Sequence, residues 1–149
     1  MKILVIGDTH GKLNKARKVI SRLKGLDLMI HTGDHISDGE LLEEETGIPV
    51  VRVRGNCDRG YDDLYYAAKE QGCIAAITGH THVPQYEEDD IYFLNPGSLT
   101  RPRDGSNGSY IVLTTTKSTF GASVLYYNDE PSDVKGGYIK NLLNYSDRF

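Results

Sequence analysis

Cysteine, long apolar runs and blocks of positive charge are all scarce in this sequence, and each scarcity excludes a class of protein. Two cysteines, Cys57 and Cys73, among 149 residues cannot build a disulfide framework, and a cytosolic chain keeps them as thiols. No apolar run comes near the ~20 residues that a membrane-spanning helix needs. Met1-Lys2 leads directly into a short strand-like run and a polar loop, so a secretory leader is not expected and a cytoplasmic location is. The formal net charge is −4, with no basic block and no aromatic platform interleaved with arginines. That argues against a protein that coats nucleic acid by charge. Heptads, internal repeats and low-complexity tracts do not stand out, and the most linker-like stretch, RDGSNGS at 103–109, is too short to separate domains.

What is present is an ordinary globular composition, 38% hydrophobic and 26% charged. The length suits one domain over residues 1–149, enough to bury a real core. Ile3 to Ile6 is a continuous apolar run, as expected for a strand covered on both faces. Residues 12–24 carry a helical stripe of Leu13, Ala16, Val19, Ile20 and Leu23, with Gly25 placed as a stop. Leu28–Ile30 is the next apolar run, 37–46 an acidic helix, and Ile48–Val53 a β-branched strand. Residues 62–71 read as a helix closed by Gly72, and Ile74–Ile77 as another strand. Such alternation predicts βαβ units and a largely parallel sheet.

These four runs end alike, in Gly7-Asp8, Gly33-Asp34, Gly55-Asn56 and Gly79-His80. In a parallel sheet with right-handed crossovers, the carboxyl ends of the strands share one edge, where ligands bind. Glycine allows the tight turns and close backbone approach that such an edge requires. With His10 and His82 two residues further on, the converging set is Asp8, His10, Asp34, Asn56, His80 and His82. Carboxylates, imidazoles and an amide without thiolate suit zinc, manganese, iron or nickel. Six ligands exceed one tetrahedral ion and fit two ions with a bridging carboxylate. A single Gly-Asp after a strand is an ordinary turn; the coincidence of four carries the argument. His31 reads as a packed histidine, His35 as a loop residue pointing away from Asp34, and Cys73 as a small buried hydrophobe. Arg52 and Arg54 alternate with Val51 and Val53 as the polar face of a half-covered strand.

The stretches GDTHG (7–11), GD (33–34), GNCD (55–58), GHTH (79–82) and NPGS (95–98) resemble the calcineurin-like metallophosphoesterases, especially the small bacterial and archaeal phosphodiesterases. The resemblance implies an αββα sandwich of two mixed sheets flanked by helices, with a two-metal site at the strand ends. Tyr92–Leu94, Ser109–Thr115 and Phe120–Tyr127 then read as an antiparallel meander. It implies that Asp8, His10 and His82 hold one metal, that Asp34 bridges, and that Asn56 and His80 hold the second. Manganese is the expected metal, with zinc, iron or nickel as alternatives, and a small phosphoester, most simply a phosphodiester, is the expected substrate. Asn56 could also touch the substrate phosphate. Many members have histidine where this chain has Cys57, and there it protonates the leaving group. Cysteine is a weaker acid, so activated aryl esters are expected to react best, and Asp58 becomes an orienting residue. Arg101 and Arg103, just after NPGS, either bind a second phosphate or face solvent.

The family also places a strand pair between GNxD and GHTH, ending in His-Gly-His, whose first histidine is a ligand of the second metal. Here residues 56–60 run straight into YDDLYYAAKEQG (61–72), and no histidine lies between His35 and His80. The resemblance therefore implies one tight and one weak metal site. It also implies an exposed sheet edge that a partner chain or a second copy would cover. The rival class is a non-catalytic interaction module degenerate at the second site, as in the metallophosphoesterase-like subunit of the retromer coat. Ligand completeness separates the two.

Overall fold

The apolar run at the N-terminus forms β1 (Lys2–Ile6), and its alternation sets the layering. Leu4 and Ile6 turn to one face and pack with Leu13, Ala16, Val19, Met29 and Leu42. Ile3 and Val5 turn to the other and pack with Tyr92, Leu94, Ile111, Leu113, Phe120 and Val124. Successive side chains of a strand point to opposite faces, so a strand apolar at every position must lie between two layers. One layer is helical and the other is a second sheet. The computed structural model describes residues 1–33, 35–52 and 61–128.

The first sheet has the order β3-β2-β1-β7-β8, with β2 at Leu28–His31, β3 at Val50–Arg52, β7 at Ser109–Thr115 and β8 at Phe120–Tyr126. β1, β2 and β3 run parallel, with Ile3 opposite Leu28 and Met29 opposite Val50. β7 joins β1 antiparallel and continues into β8 as a hairpin. The second sheet has the order β4-β6-β5, from β4 (Ala75–Ile77), β5 (Pro84–Glu88) and β6 (Tyr92–Pro96). β6 pairs parallel with β4 and antiparallel with β5. Helices α1 (Asn14–Arg22) and α2 (Ile36–Thr46) are the crossovers of the first sheet, and α3 (Tyr61–Glu70) precedes β4. This is a mixed α/β fold of two mixed sheets flanked by helices, as the resemblance implies.

Local chemistry accounts for most boundaries. Ala16, Val19 and their neighbours press α1 onto the first sheet, and the helix ends at Arg22, before the left-handed turn at Gly25. α2 stops where Gly47, at φ 72°, donates its N–H to the Glu43 carbonyl at 2.9 Å, a left-handed cap that favours glycine. Gly72 closes the turn after α3 as expected.

Four expectations change. The meander does not form, because β6 belongs to the second sheet while β7 and β8 belong to the first; only the β7–β8 hairpin survives. Nor do the four glycine-ended strands share one sheet, since β4 sits in the second. β5 was unexpected from the sequence: PQYEE has neither an apolar run nor a clean alternation. Cys73 is exposed rather than buried, lying just beyond the Gly72 turn. Val53 and Arg54 lie outside the described residues, and Arg52 is ion-paired with Glu40 at 3.1 Å.

Candidate metal centre

β1 and β4 lie in different sheets, yet their carboxyl ends meet. After β1 the chain turns through Gly7 into Asp8, which is buried, and His10, half-buried. After β4 it turns through Gly79 into exposed His80 and buried His82. The donor atoms of Asp8, His10 and His82 all lie within 4.8 Å of one another. Nε2 of His82 is 3.3 Å from Nε2 of His10 and 3.9 Å from Oδ1 of Asp8. Nδ1 of His82 is 2.8 Å from the Arg101 carbonyl. A carbonyl only accepts, so Nδ1 carries a proton and Nε2 is the ring nitrogen left to face a metal. Metal-ligating histidines are commonly fixed in this way, by an outer hydrogen bond from the other ring nitrogen. Two imidazole nitrogens and a carboxylate oxygen at this separation fit a divalent transition-metal ion.

The backbone is strained where these groups converge. The non-glycine residues with positive φ are Asp8 (53°), His10 (51°), His35 (63°), His80 (75°) and His82 (61°) among the described residues. Such conformations cost of order 1–3 kcal/mol each and cluster at functional sites. Every one of these residues but His35 belongs to the set expected from the sequence. His35, a loop residue as expected, has its ring 5.5 Å from that of His10, edge to face; Asp34, from which it is expected to point away, lies outside the described residues.

The remaining expected residues divide. His80 lines the same cleft as His10, His82, Arg101 and Arg103, but it approaches Asp8 through its backbone N–H, which donates to Oδ2 at 2.9 Å. Its ring is not within the Asp8–His10–His82 cluster. Asp34, Asn56, Cys57 and Asp58 lie outside the described residues.

Three supporting arrangements escaped the sequence reading. Asp38, in the first turn of α2, accepts a hydrogen bond from the Thr9 hydroxyl at 2.5 Å and another from the Gly11 N–H at 2.8 Å. The Thr9 hydroxyl has one proton and gives it to Asp38, so the contact with His31 Nε2 at 2.9 Å is a donation from His31. His31 is thus packed as expected, and it holds the loop that carries Asp8 and His10. Second, Ser98 and Thr100 donate to the Asp8 carbonyl at 2.9 and 3.0 Å. The Asn95 amide donates to the Gly79 carbonyl at 3.1 Å. NPGS therefore ties the two metal-facing loops together. Third, a Cβ at Gly7 or at Gly79 would strike the Thr32 hydroxyl. The glycines let the two sheet ends close on one threonine. Asp38 and Thr9 carried no signal, because a lone acid in an acidic helix reads as solvated surface.

Comparison with known proteins agrees with this arrangement. The family model described as the calcineurin-like phosphoesterase superfamily domain matches residues 1–71 and 59–118. A probable metallophosphoesterase of Methanothermobacter thermautotrophicus is 33% identical over 139 residues, covering 69% of this chain and 80% of its own length. The phosphodiesterase YfcE of Escherichia coli K12 is 25% identical over 177 residues, covering 87% of this chain and 94% of its own. That similarity extends over more residues than this chain has, so it spans stretches of YfcE without a counterpart here. Wild-type Vps29 of Entamoeba histolytica, solved in complex with Zn²⁺, has the same fold, with a TM-score of 0.70 and 19% identity over 97% of this chain and 99% of that one.

Proposed function

Since the chain belongs to the calcineurin-like phosphoesterase superfamily, we propose that it is a metal-dependent hydrolase of phosphoesters, acting on phosphodiesters. The observation that carries this reading is the convergence of Asp8, His10 and His82, with His82 tautomerically fixed by the Arg101 carbonyl. In this reading those three residues and Asp34 hold a first divalent ion, and Asp34, Asn56 and His80 hold a second, Mn²⁺ in preference to Zn²⁺, Fe²⁺ or Ni²⁺. Bound ions would supply Lewis acidity, acidifying a water and neutralising charge on the phosphoryl oxygens.

The protein groups then have separate tasks. Asp8, His10 and His82 fix position, and their strained backbones keep the donors aimed before substrate arrives. By its match to the family motif, the Asn56 amide would donate to an equatorial phosphoryl oxygen as charge builds on it. Cys57 stands in the sequence where many members carry the histidine that protonates the leaving group, and Asp58 would be an orienting residue. Arg101 and Arg103 face the substrate from the cleft wall. Without an imidazole at position 57, esters with good leaving groups react fastest.

The test is direct. Protein purified with Mn²⁺ is expected to retain metal and to hydrolyse bis-p-nitrophenyl phosphate, with activity removed by chelator and restored by Mn²⁺. Asp34→Asn is expected to be the most damaging single ligand change, since it takes the bridging charge from both ions. Near-normal kcat in that variant would overturn the two-ion reading. A second reading has its own support: the absent histidine between positions 35 and 80 leaves the second ion short of a ligand, as in a non-catalytic interaction module. Tight metal binding without any turnover would select it.

A further inference from the structure

The cleft beside Asp8 is about 330 Å³ in volume and is lined by His10, His80, His82, Arg101, Pro102 and Arg103. Among the described residues no carboxylate lines it, although the chain as a whole is acidic. Among the described residues, neither Arg101 nor Arg103 has a side-chain ion pair or hydrogen bond. Exposed arginines are common in themselves, but three features set this pair apart.

The backbone beneath them is fixed to the metal-facing loop. The Arg101 N–H donates to the Ser98 hydroxyl at 3.0 Å, its carbonyl accepts from His82 Nδ1 at 2.8 Å, and the Arg103 N–H donates to the His82 carbonyl at 3.0 Å. Pro102 between them restricts its own φ and favours extended backbone at Arg101. In extended backbone residues i and i+2 project to the same side, and both arginines do face the one cleft. The third feature is charge. A phosphodiester has a single negative charge, which the metal centre already matches, so two further guanidiniums exceed what the scissile group needs. A terminal phosphate carries about −1.5 to −2 and presents the oxygens that guanidinium forks bind in pairs.

Resting on the metallophosphoesterase reading above, we infer that the substrate is a phosphodiester bearing a second, terminal phosphate, which seats on the Arg101–Pro102–Arg103 fork while the scissile group lies at the Asp8–His10–His82 cluster. Arg101 and Arg103 are then specificity determinants, selecting phosphorylated esters over neutral ones.

Two probes that differ only in that group test it: the p-nitrophenyl ester of thymidine 5′-phosphate, and the same ester with a 3′-phosphate. Hydrolysis is followed with Mn²⁺ present, beside bis-p-nitrophenyl phosphate. The wild-type protein is expected to favour the 3′-phosphorylated probe by about tenfold or more in kcat/KM, the scale of charge-assisted hydrogen bonds. In the Arg101→Gln/Arg103→Gln double variant the ratio is expected to fall to near one. A wild-type ratio near one, with all three esters turned over, overturns this inference and leaves the metal-dependent activity standing. A ratio that persists in the double variant overturns the assignment to these arginines. No turnover of any ester by metal-loaded protein overturns the metallophosphoesterase reading and this inference with it.

Discussion

Asp38 is an acid in the first turn of a helix, a position the helix dipole favours on its own, yet its carboxylate is turned inward and 4% exposed. There it accepts from the Thr9 hydroxyl and the Gly11 N–H, on either side of His10. Both neighbours of His10 are therefore fixed, and His10 itself is held at φ 51°. Asp38→Ala removes that support without touching a metal-facing side chain. It is expected to weaken Mn²⁺ binding about 10–100-fold, the usual cost of losing an outer partner. Asp38→Asn keeps an acceptor and is expected to recover part of the loss. Titration calorimetry with far-ultraviolet circular dichroism separates this from unfolding; equal affinities in wild type and Asp38→Ala would show that the loop holds itself. Position 57 allows a second residue-level test. Cys57→His supplies an acid with a pKa near neutrality, so hydrolysis of alkyl phosphodiesters is expected to rise relative to aryl ones. An unchanged ratio would remove position 57 from leaving-group chemistry.

At the scale of elements, the ends of β1 and β4 close over the end of β2, and the Thr32 side chain fills the seam. A Cβ at Gly7 would meet Thr32 Oγ1 head-on, while its next contact, Thr32 Cβ, is at 3.4 Å. A Cβ at Gly79 would also lie 3.1 Å from the Thr32 backbone carbonyl, which no side-chain change relieves. Gly7→Ala is therefore expected to destabilise by about 1–3 kcal/mol, as overpacking does, and most of that cost should vanish in a Thr32→Ala background. Gly79→Ala should stay destabilising in both. Urea midpoints for the two double-mutant cycles measure the difference, and equal coupling at both glycines would mean that the seam relaxes by moving backbone. The glycine-ended strands were legible because β1, β2 and β4 are short, apolar and followed at once by polar ligands. Their division between two sheets was not legible, since punctuation at a strand end does not record which sheet the strand joins. β6 was misplaced for the same reason: Tyr92–Pro96 is buried at every position and could neighbour either sheet. That His35 sits beside the His10 ring was not legible, since no glycine marks its left-handed φ of 63°. Asp38 depends on a long-range contact with Thr9, which no local pattern encodes.

On the scale of the whole molecule, the candidate centre sits where two sheets meet, so each sheet supplies part of it. The first gives Asp8 and His10 from β1, and the second gives His82 after β4. NPGS at the end of β6 ties both loops by hydrogen bonds to the Asp8 and Gly79 carbonyls. These loops are braced from both sides. In the proposed two-ion reading, the other half of the centre would draw on Asp34 and Asn56, after β2 and β3 in the sequence, and on a histidine that the chain does not have between positions 35 and 80. The family match itself comes in two stretches, 1–71 and 59–118, that overlap near this place. In that two-ion reading, a first ion drawing on Asp8, His10, Asp34 and His82 would have a full donor set. A second drawing on Asp34, Asn56 and His80 would be one nitrogen short, which typically costs at least 10-fold in affinity. Calorimetric titration of metal-free protein with Mn²⁺ is thus expected to show one tight site and one at least ten times weaker, with hydrolysis rising only as the weaker site fills. His82→Ala should abolish the tight step, and His80→Ala should abolish only the weak one. Two equally tight steps in the wild type would mean that another side chain completes the second site. His35, beside the His10 ring, would be the first to replace, and loss of one step in His35→Ala would identify it.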